Sequence, residues 1–117
     1  MATEGKNLSH YDKDKIPDAS KWRFGIVVSD WNESITGNLY TGAFNALIEN
    51  KVPAQNIYRL DVPGSFELIN ASRKLCETNS FDCIIAIGSV IQGETKHFDF
   101  VCQGVSNGIA ELNANYD

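Results

Sequence analysis

Three short apolar runs, separated by segments long enough to hold a helix, constrain the fold of this chain more than any other feature. They are FGIVVS at Phe24–Ser29, IYRLDV at Ile57–Val62 and CIIAI at Cys83–Ile87, with the length and composition of strands. The third run shows no alternation, which is the pattern of a strand covered on both faces. Because the connections are too long for hairpins, the strands should be parallel with right-handed crossovers. The sequence therefore predicts an α/β fold with three αβα layers around a doubly wound parallel sheet.

A segment with helical spacing follows each run. Ser34 or Thr36 can cap the first helix, which should continue to about Asn50. The second helix is expected from about Ser65 to Thr78. Thr95 is the expected N-cap of the third helix, whose apolar residues recur every three or four positions. This stripe consists of Phe98, Val101, Cys102, Val105, Ile109 and Leu112.

Charge and composition exclude several classes of partner. The formal net charge is -5, and no cluster of Lys and Arg is present, which argues against binding to nucleic acid or to an anionic membrane surface. No stretch approaches the roughly 18 apolar residues that a membrane span needs. The N-terminal residues lack an apolar signal core, so a cytoplasmic location is the default expectation.

The three cysteines are expected to be reduced core residues. Cys76, Cys83 and Cys102 are odd in number and occupy apolar positions of the predicted elements, unlike a disulfide framework. The chain has only two histidines, His10 and His97, and no CxxC or HxxxH spacing. We therefore expect no metal site.

Residues suited to ligand binding follow each strand at its carboxyl end, the edge where parallel sheets bind ligands. These segments are residues 30–32 with Trp31, residues 63–67 with Glu67, and residues 89–97 with His97. Each has a plainer interpretation: Trp31 as packing or interface surface, and Glu67 as a first-turn residue that suits the helix dipole. The convergence of all three favours a ligand site.

His97 falls in the first turn of the third predicted helix. Unpaired backbone N–H groups and the helix dipole disfavour imidazolium there, so the side chain could accept a proton near pH 7. Gly88 and Gly93 would let a ligand approach the backbone. The alternative is a connecting loop that carries a solvated surface histidine.

The segments SDWNESIT, VPGSFEL and IAIGSVIQGETKHFDFV, in this order and spacing, resemble the lumazine synthase family from about Phe24 to the end of the chain. The resemblance implies a sheet of flavodoxin-like strand order and an enzyme of riboflavin biosynthesis. That reaction condenses 5-amino-6-(D-ribitylamino)uracil with 3,4-dihydroxy-2-butanone 4-phosphate to 6,7-dimethyl-8-ribityllumazine, with release of phosphate. It implies no metal and no organic cofactor.

The resemblance also implies roles for single residues. Trp31 matches the aromatic that stacks on the pyrimidine, usually phenylalanine in the family, and His97 matches the proposed proton-transfer residue. The turn that holds the ribityl chain corresponds to Ser65, Phe66 and Glu67. The loop that reads the pyrimidine edge corresponds to Ser89, Val90 and Ile91, and the segment that faces the butanone phosphate to Glu94 and Thr95.

Two departures from the family pattern stand out. Gln92 occupies a position where many relatives carry Arg or Lys, and the chain ends at Asp117, whereas relatives continue with another strand and two helices. We therefore expect the N-terminal part of a lumazine synthase, without the strand, the helices and the phosphate-binding arginine of that region. Residues 22–117 would form the α/β domain, and residues 1–21 an arm that is flexible or ordered at an interface. The family implies a pentamer, in some members closed into an icosahedral shell.

Two other functions remain open at this point. A receiver or another flavodoxin-like binding module would share the topology, although Gly88 and Ser89 occupy the place of a receiver's phosphoacceptor aspartate. A shell subunit without turnover would keep the family shape. Gln92 and the absent C-terminal region favour that reading.

Overall fold

A computed structural model describes residues 10–117, which contain three strands, three α-helices and two short 3-10 helices. All three strands have the bounds that the apolar runs predict. The main elements in chain order are β1 (Phe24–Ser29), α1 (Glu33–Glu49), β2 (Ile57–Val62), α2 (Glu67–Glu77), β3 (Cys83–Ile87) and α3 (His97–Asn115).

The strands form a parallel sheet in the order β2-β1-β3. Phe24 of β1 lies opposite Ile57 of β2 and Cys83 of β3. All six residues of β1 are buried because this strand has a neighbour on each side. The predicted parallel α/β sheet is confirmed.

Apolar clusters cover both faces of the sheet. On one face, Val27 packs with Leu68, Ala71 and Leu75 of α2. On the other face, Ile26 and Val28 pack against Tyr40, Ala43 and Leu47 of α1. The fold therefore has the three predicted layers, since alternate residues of β1 face opposite helices.

The predicted burial of β3 is wrong within residues 10–117. Cys83 and Ala86 are exposed because the described sheet places β3 at its edge, with β1 as its neighbour. Cys83 is therefore not a core residue. Cys76 and Cys102 are half-buried, and all three cysteines are free thiols, as predicted.

The helix starts differ from the predictions by one to four residues. Asn32, and not Ser34 or Thr36, is the N-cap of α1, and α2 begins at Glu67 instead of Ser65. Lys96 occupies the N-cap position of α3, although the Thr95 hydroxyl accepts a hydrogen bond from the His97 N–H at 3.4 Å.

Helix α3 packs on α2 through two glycines. A Cβ atom at Gly104 would lie 2.8 Å from Cε2 of Phe66, and one at Gly108 would collide with the side chain of Ile69. The apolar stripe of α3 is half-buried, and no residue of this helix is fully buried. No helix within residues 10–117 is long and apolar enough to span a bilayer.

Candidate active site

Hydrogen bonds join the segments that follow the three strands. The N–H groups of Asp30 and Trp31 donate to the carbonyls of Val62 and Pro63, at 2.8 and 3.1 Å. On the other side, the Asn32 side-chain amide donates to the carbonyl of Ser89 at 3.0 Å. The loop after β1 is therefore fixed to the loops after both neighbouring strands.

An open cavity of about 590 Å³ lies where these loops meet. Its volume is in the range of small-molecule sites. The predicted residues that line it are Trp31, Ser65, Phe66, Glu67, Ser89, Val90, Ile91, Thr95 and His97. All three predicted segments therefore contribute to one site.

One predicted residue does not line the cavity. Glu94 is exposed and absent from the lining, although its neighbours Gly93 and Thr95 belong to it. The loop before α3 is exposed throughout residues 91–96, so neighbouring side chains can point in different directions. The sequence indicates only that Glu94 lies in this loop.

The lining also includes Gly64 and Gly93, which belong to the predicted segments. Three further lining residues were not assigned to the site from the sequence: Phe98, Phe100 and Val101. Phe100 and Val101 follow His97 by three and four positions, and this spacing puts helical residues on one face. Applying that rule to His97 would have identified both.

Large apolar side chains form the rim of the cavity. Trp31 is 74% exposed, Phe100 68%, Ile91 62% and Phe66 57%. Such exposure of large apolar groups around one cavity is typical of a binding surface for a flat apolar ligand or for another protein chain.

Gly88 allows the close approach of two loops beneath the cavity. A Cβ atom there would lie 2.7 Å from Oγ of Ser65 and 2.7 Å from Cδ1 of Leu68. Any larger residue would force the side chains of Ser65 and Leu68, both buried, to shift. Packing therefore favours glycine here in addition to any role in ligand access.

The polar chemistry of the lining is simple. Glu67 and His97 are its titratable side chains among the described residues, and the lining contains no Lys or Arg. The Glu67 carboxylate forms no ion pair within residues 10–117 and lies over Gly64, where a Cβ atom would be 3.1 Å from Oε2. A carboxylate acceptor and an imidazole thus share a cavity with a large aromatic.

A family model described as 6,7-dimethyl-8-ribityllumazine synthase matches residues 21–117. The chain belongs to the lumazine synthase family. The matched range includes every element of the sheet and every residue of the cavity lining.

Curated relatives with the name 6,7-dimethyl-8-ribityllumazine synthase cover the whole chain. The protein of Flavobacterium johnsoniae is 62% identical over 117 residues, and this alignment covers 62% of its own length. The protein of Christiangramia forsetii is 60% identical over 118 residues and 70% covered. That of Flavobacterium psychrophilum is 54% identical and 62% covered. The chain therefore spans about two thirds of the length of these relatives.

Proposed function

We propose that this chain forms the site that condenses 5-amino-6-(D-ribitylamino)uracil with 3,4-dihydroxy-2-butanone 4-phosphate. The product would be 6,7-dimethyl-8-ribityllumazine, with release of phosphate and water, as a transferase step of riboflavin biosynthesis. The observation that carries the proposal is the single cavity that contains Trp31, the turn at residues 65–67 and His97.

The pyrimidine substrate fits the wall formed by Trp31 and residues 89–91. Trp31 would stack on the flat ring, since aromatic rings prefer offset-stacked contacts. The backbone of Ser89, Val90 and Ile91 would hydrogen-bond to the ring edge. Ser65, Phe66 and Glu67 would hold the ribityl chain, because a carboxylate accepts hydrogen bonds from hydroxyl groups.

The phosphate substrate would lie at the start of α3. Thr95 would face it, as would the backbone at Glu94, whose carboxylate lies outside the cavity lining. The first N–H groups of the 19-residue helix supply donors and a positive dipole end. This contribution matters because the lining formed by residues 10–117 contains no Lys or Arg.

His97 would transfer protons during the reaction. The aryl amine attacks the ketone and water leaves, phosphate is eliminated, and attack of the ribityl-bearing amine on the remaining carbonyl closes the second ring with loss of a second water. Each step moves a proton, and an imidazole can both accept and donate one. Positioning two substrates side by side contributes the rest of the acceleration.

The assembly and location of the protein also belong to this proposal. We expect a homo-oligomer, either a pentamer or a pentamer-based shell, in the cytoplasm, without a metal or an organic cofactor. The arm of residues 1–21 would precede the α/β domain of residues 22–117. Residues 1–9 lie outside the described residues, and within residues 10–21 Ala19 packs in a cluster with Phe24 and Val52.

The test is to mix both substrates with the purified chain and to follow the absorbance of the lumazine product. Product formation well above the uncatalysed background supports the proposal. A rate equal to background, with the chain folded, contradicts it.

A second candidate is a shell subunit of the same fold without turnover. The absence of Lys and Arg from the lining within residues 10–117 favours it. Native mass spectrometry that shows assembly, combined with a background rate in the substrate assay, would identify this case. The family match gives the receiver alternative no support.

A further inference from the structure

Asn32 has an unusual backbone conformation next to the stacking residue. Its φ and ψ are 64° and 48°, in the left-handed region. Asparagine adopts this region more readily than most residues, and glycine adopts it most readily. Asn32 directly follows Trp31 and caps α1, so its conformation sets the direction in which the chain leaves β1.

The side chain of Asn32 does not cap its own helix. Instead its amide donates to the Ser89 carbonyl, 57 residues further along the chain. The Asn32 carbonyl accepts hydrogen bonds from the N–H groups of Ile35 and Thr36. The residue is therefore fixed to α1 through its backbone and to the loop after β3 through its side chain.

Both ends of this bridge adjoin the cavity wall. Trp31 directly precedes Asn32 and lines the cavity. On the other side, Ser89 lines it together with Val90 and Ile91, which follow in the same loop. Trp31 is 74% exposed, so few contacts of its own ring hold it in place. Its orientation depends on the backbone on either side.

We propose that Asn32 is a positioning residue, which holds the Trp31 indole and the backbone of residues 89–91 at the separation that a flat heterocycle needs. The identity of the heterocycle rests on the proposed function. The restraint on Trp31 does not, because it follows from the hydrogen bond and the backbone conformation.

The experiment compares Asn32→Gly with Asn38→Ala in a Trp22→Phe background, where Trp31 is the one remaining tryptophan. Glycine keeps the left-handed backbone and removes the amide. Asn38 is the matched control, because its amide donates to the Ser34 carbonyl at 2.8 Å and neither residue lines the cavity. Asn32→Asp provides a second variant, since it keeps the size of the side chain and loses the donor.

Two readouts separate positioning from general stability. Time-resolved fluorescence anisotropy of the free protein at 20 °C should show that the fast motion of Trp31 has a larger amplitude in both Asn32 variants than in the parent chain. In the Asn38→Ala control this amplitude should not change. The dissociation constant for 6,7-dimethyl-8-ribityllumazine should rise about five- to tenfold, the usual value of one hydrogen bond. The KM for the pyrimidine substrate should rise by a similar factor, with a smaller change in kcat.

Unchanged Trp31 motion in both Asn32 variants would overturn the inference, as would product affinity within twofold of the parent chain while Asn32→Gly remains folded. If the parent chain binds no product at all, the proposed function fails. The anisotropy comparison then still decides whether Asn32 positions Trp31.

Discussion

Replacing Gly108 with alanine tests the close packing of α3 on α2. The added Cβ would lie 2.7 Å from Cγ1 and 3.0 Å from Cγ2 of Ile69, and would collide with Cδ1. Because three atoms of one side chain are involved, rotating the end of Ile69 cannot relieve the contact. Either Ile69 leaves its rotamer or the two helices separate.

The expected magnitude follows from two opposing terms. Overpacking of this kind costs about 1–3 kcal/mol, while alanine in place of glycine inside a helix gains roughly 1 kcal/mol. Gly108→Ala should therefore lower the free energy of unfolding by about 0–2 kcal/mol.

Gly42→Ala in α1 is the matched control, because a Cβ there would meet no atom within 4 Å. This variant should gain about 1 kcal/mol from helix propensity alone. The difference between the two variants then isolates the overpacking cost of about 1–3 kcal/mol.

Urea unfolding, followed by circular dichroism, measures both variants under the same conditions. Thermal unfolding should agree, with a difference in Tm of roughly 3–6 °C for each kcal/mol, between the values for smaller and larger domains. If Gly108→Ala is as stable as Gly42→Ala, the helices do not approach as closely as described.

Three further predictions concern the cavity and the edge strand. His97→Ala should reduce kcat by about a hundred- to ten-thousandfold, the usual contribution of acid–base catalysis, with little change in KM; a loss below tenfold would contradict its role. Trp31→Ala should weaken product binding at least tenfold in a fluorescence titration, whereas Trp31→Phe should keep most of the affinity because stacking is preserved; equal losses would contradict stacking. Although Cys83 as a whole residue is exposed, partial desolvation of its thiol raises the pKa of that thiol, and the Asp82 carboxylate adds to the shift. Because the thiolate is the reactive form, alkylation of Cys83 by iodoacetamide should be slower at pH 8 than that of a cysteine peptide, and its rate should still rise above about pH 8.5, the ordinary thiol pKa. A rate equal to that of the peptide would contradict this.

The sequence is most informative where the structure depends on local pattern. The strand bounds follow from apolar runs that end at polar or turn residues such as Asp30, Pro63 and Gly88. The edge at which the site residues meet follows from the parallel order of the strands. Trp31, Glu67 and His97 could therefore be assigned to one site before any coordinates.

Features that depend on distant contacts could not be predicted in this way. Asn32 replaces Ser34 as the cap of α1 in a conformation that accompanies its bond to Ser89, and no local pattern indicates that partner. The exposure of Cys83 depends on the place of β3 in the strand order, which an apolar run does not encode. The direction in which the Glu94 side chain points depends on the backbone path of an exposed loop, which no local pattern specifies.

The most direct test of the central claim is a crystal structure of the chain with 6,7-dimethyl-8-ribityllumazine bound. We predict that the ring stacks on Trp31, that the ribityl hydroxyls reach the Glu67 carboxylate and that the His97 imidazole lies next to the newly formed ring. Product bound away from these three side chains, or no product in the cavity at saturating concentration, would contradict the account.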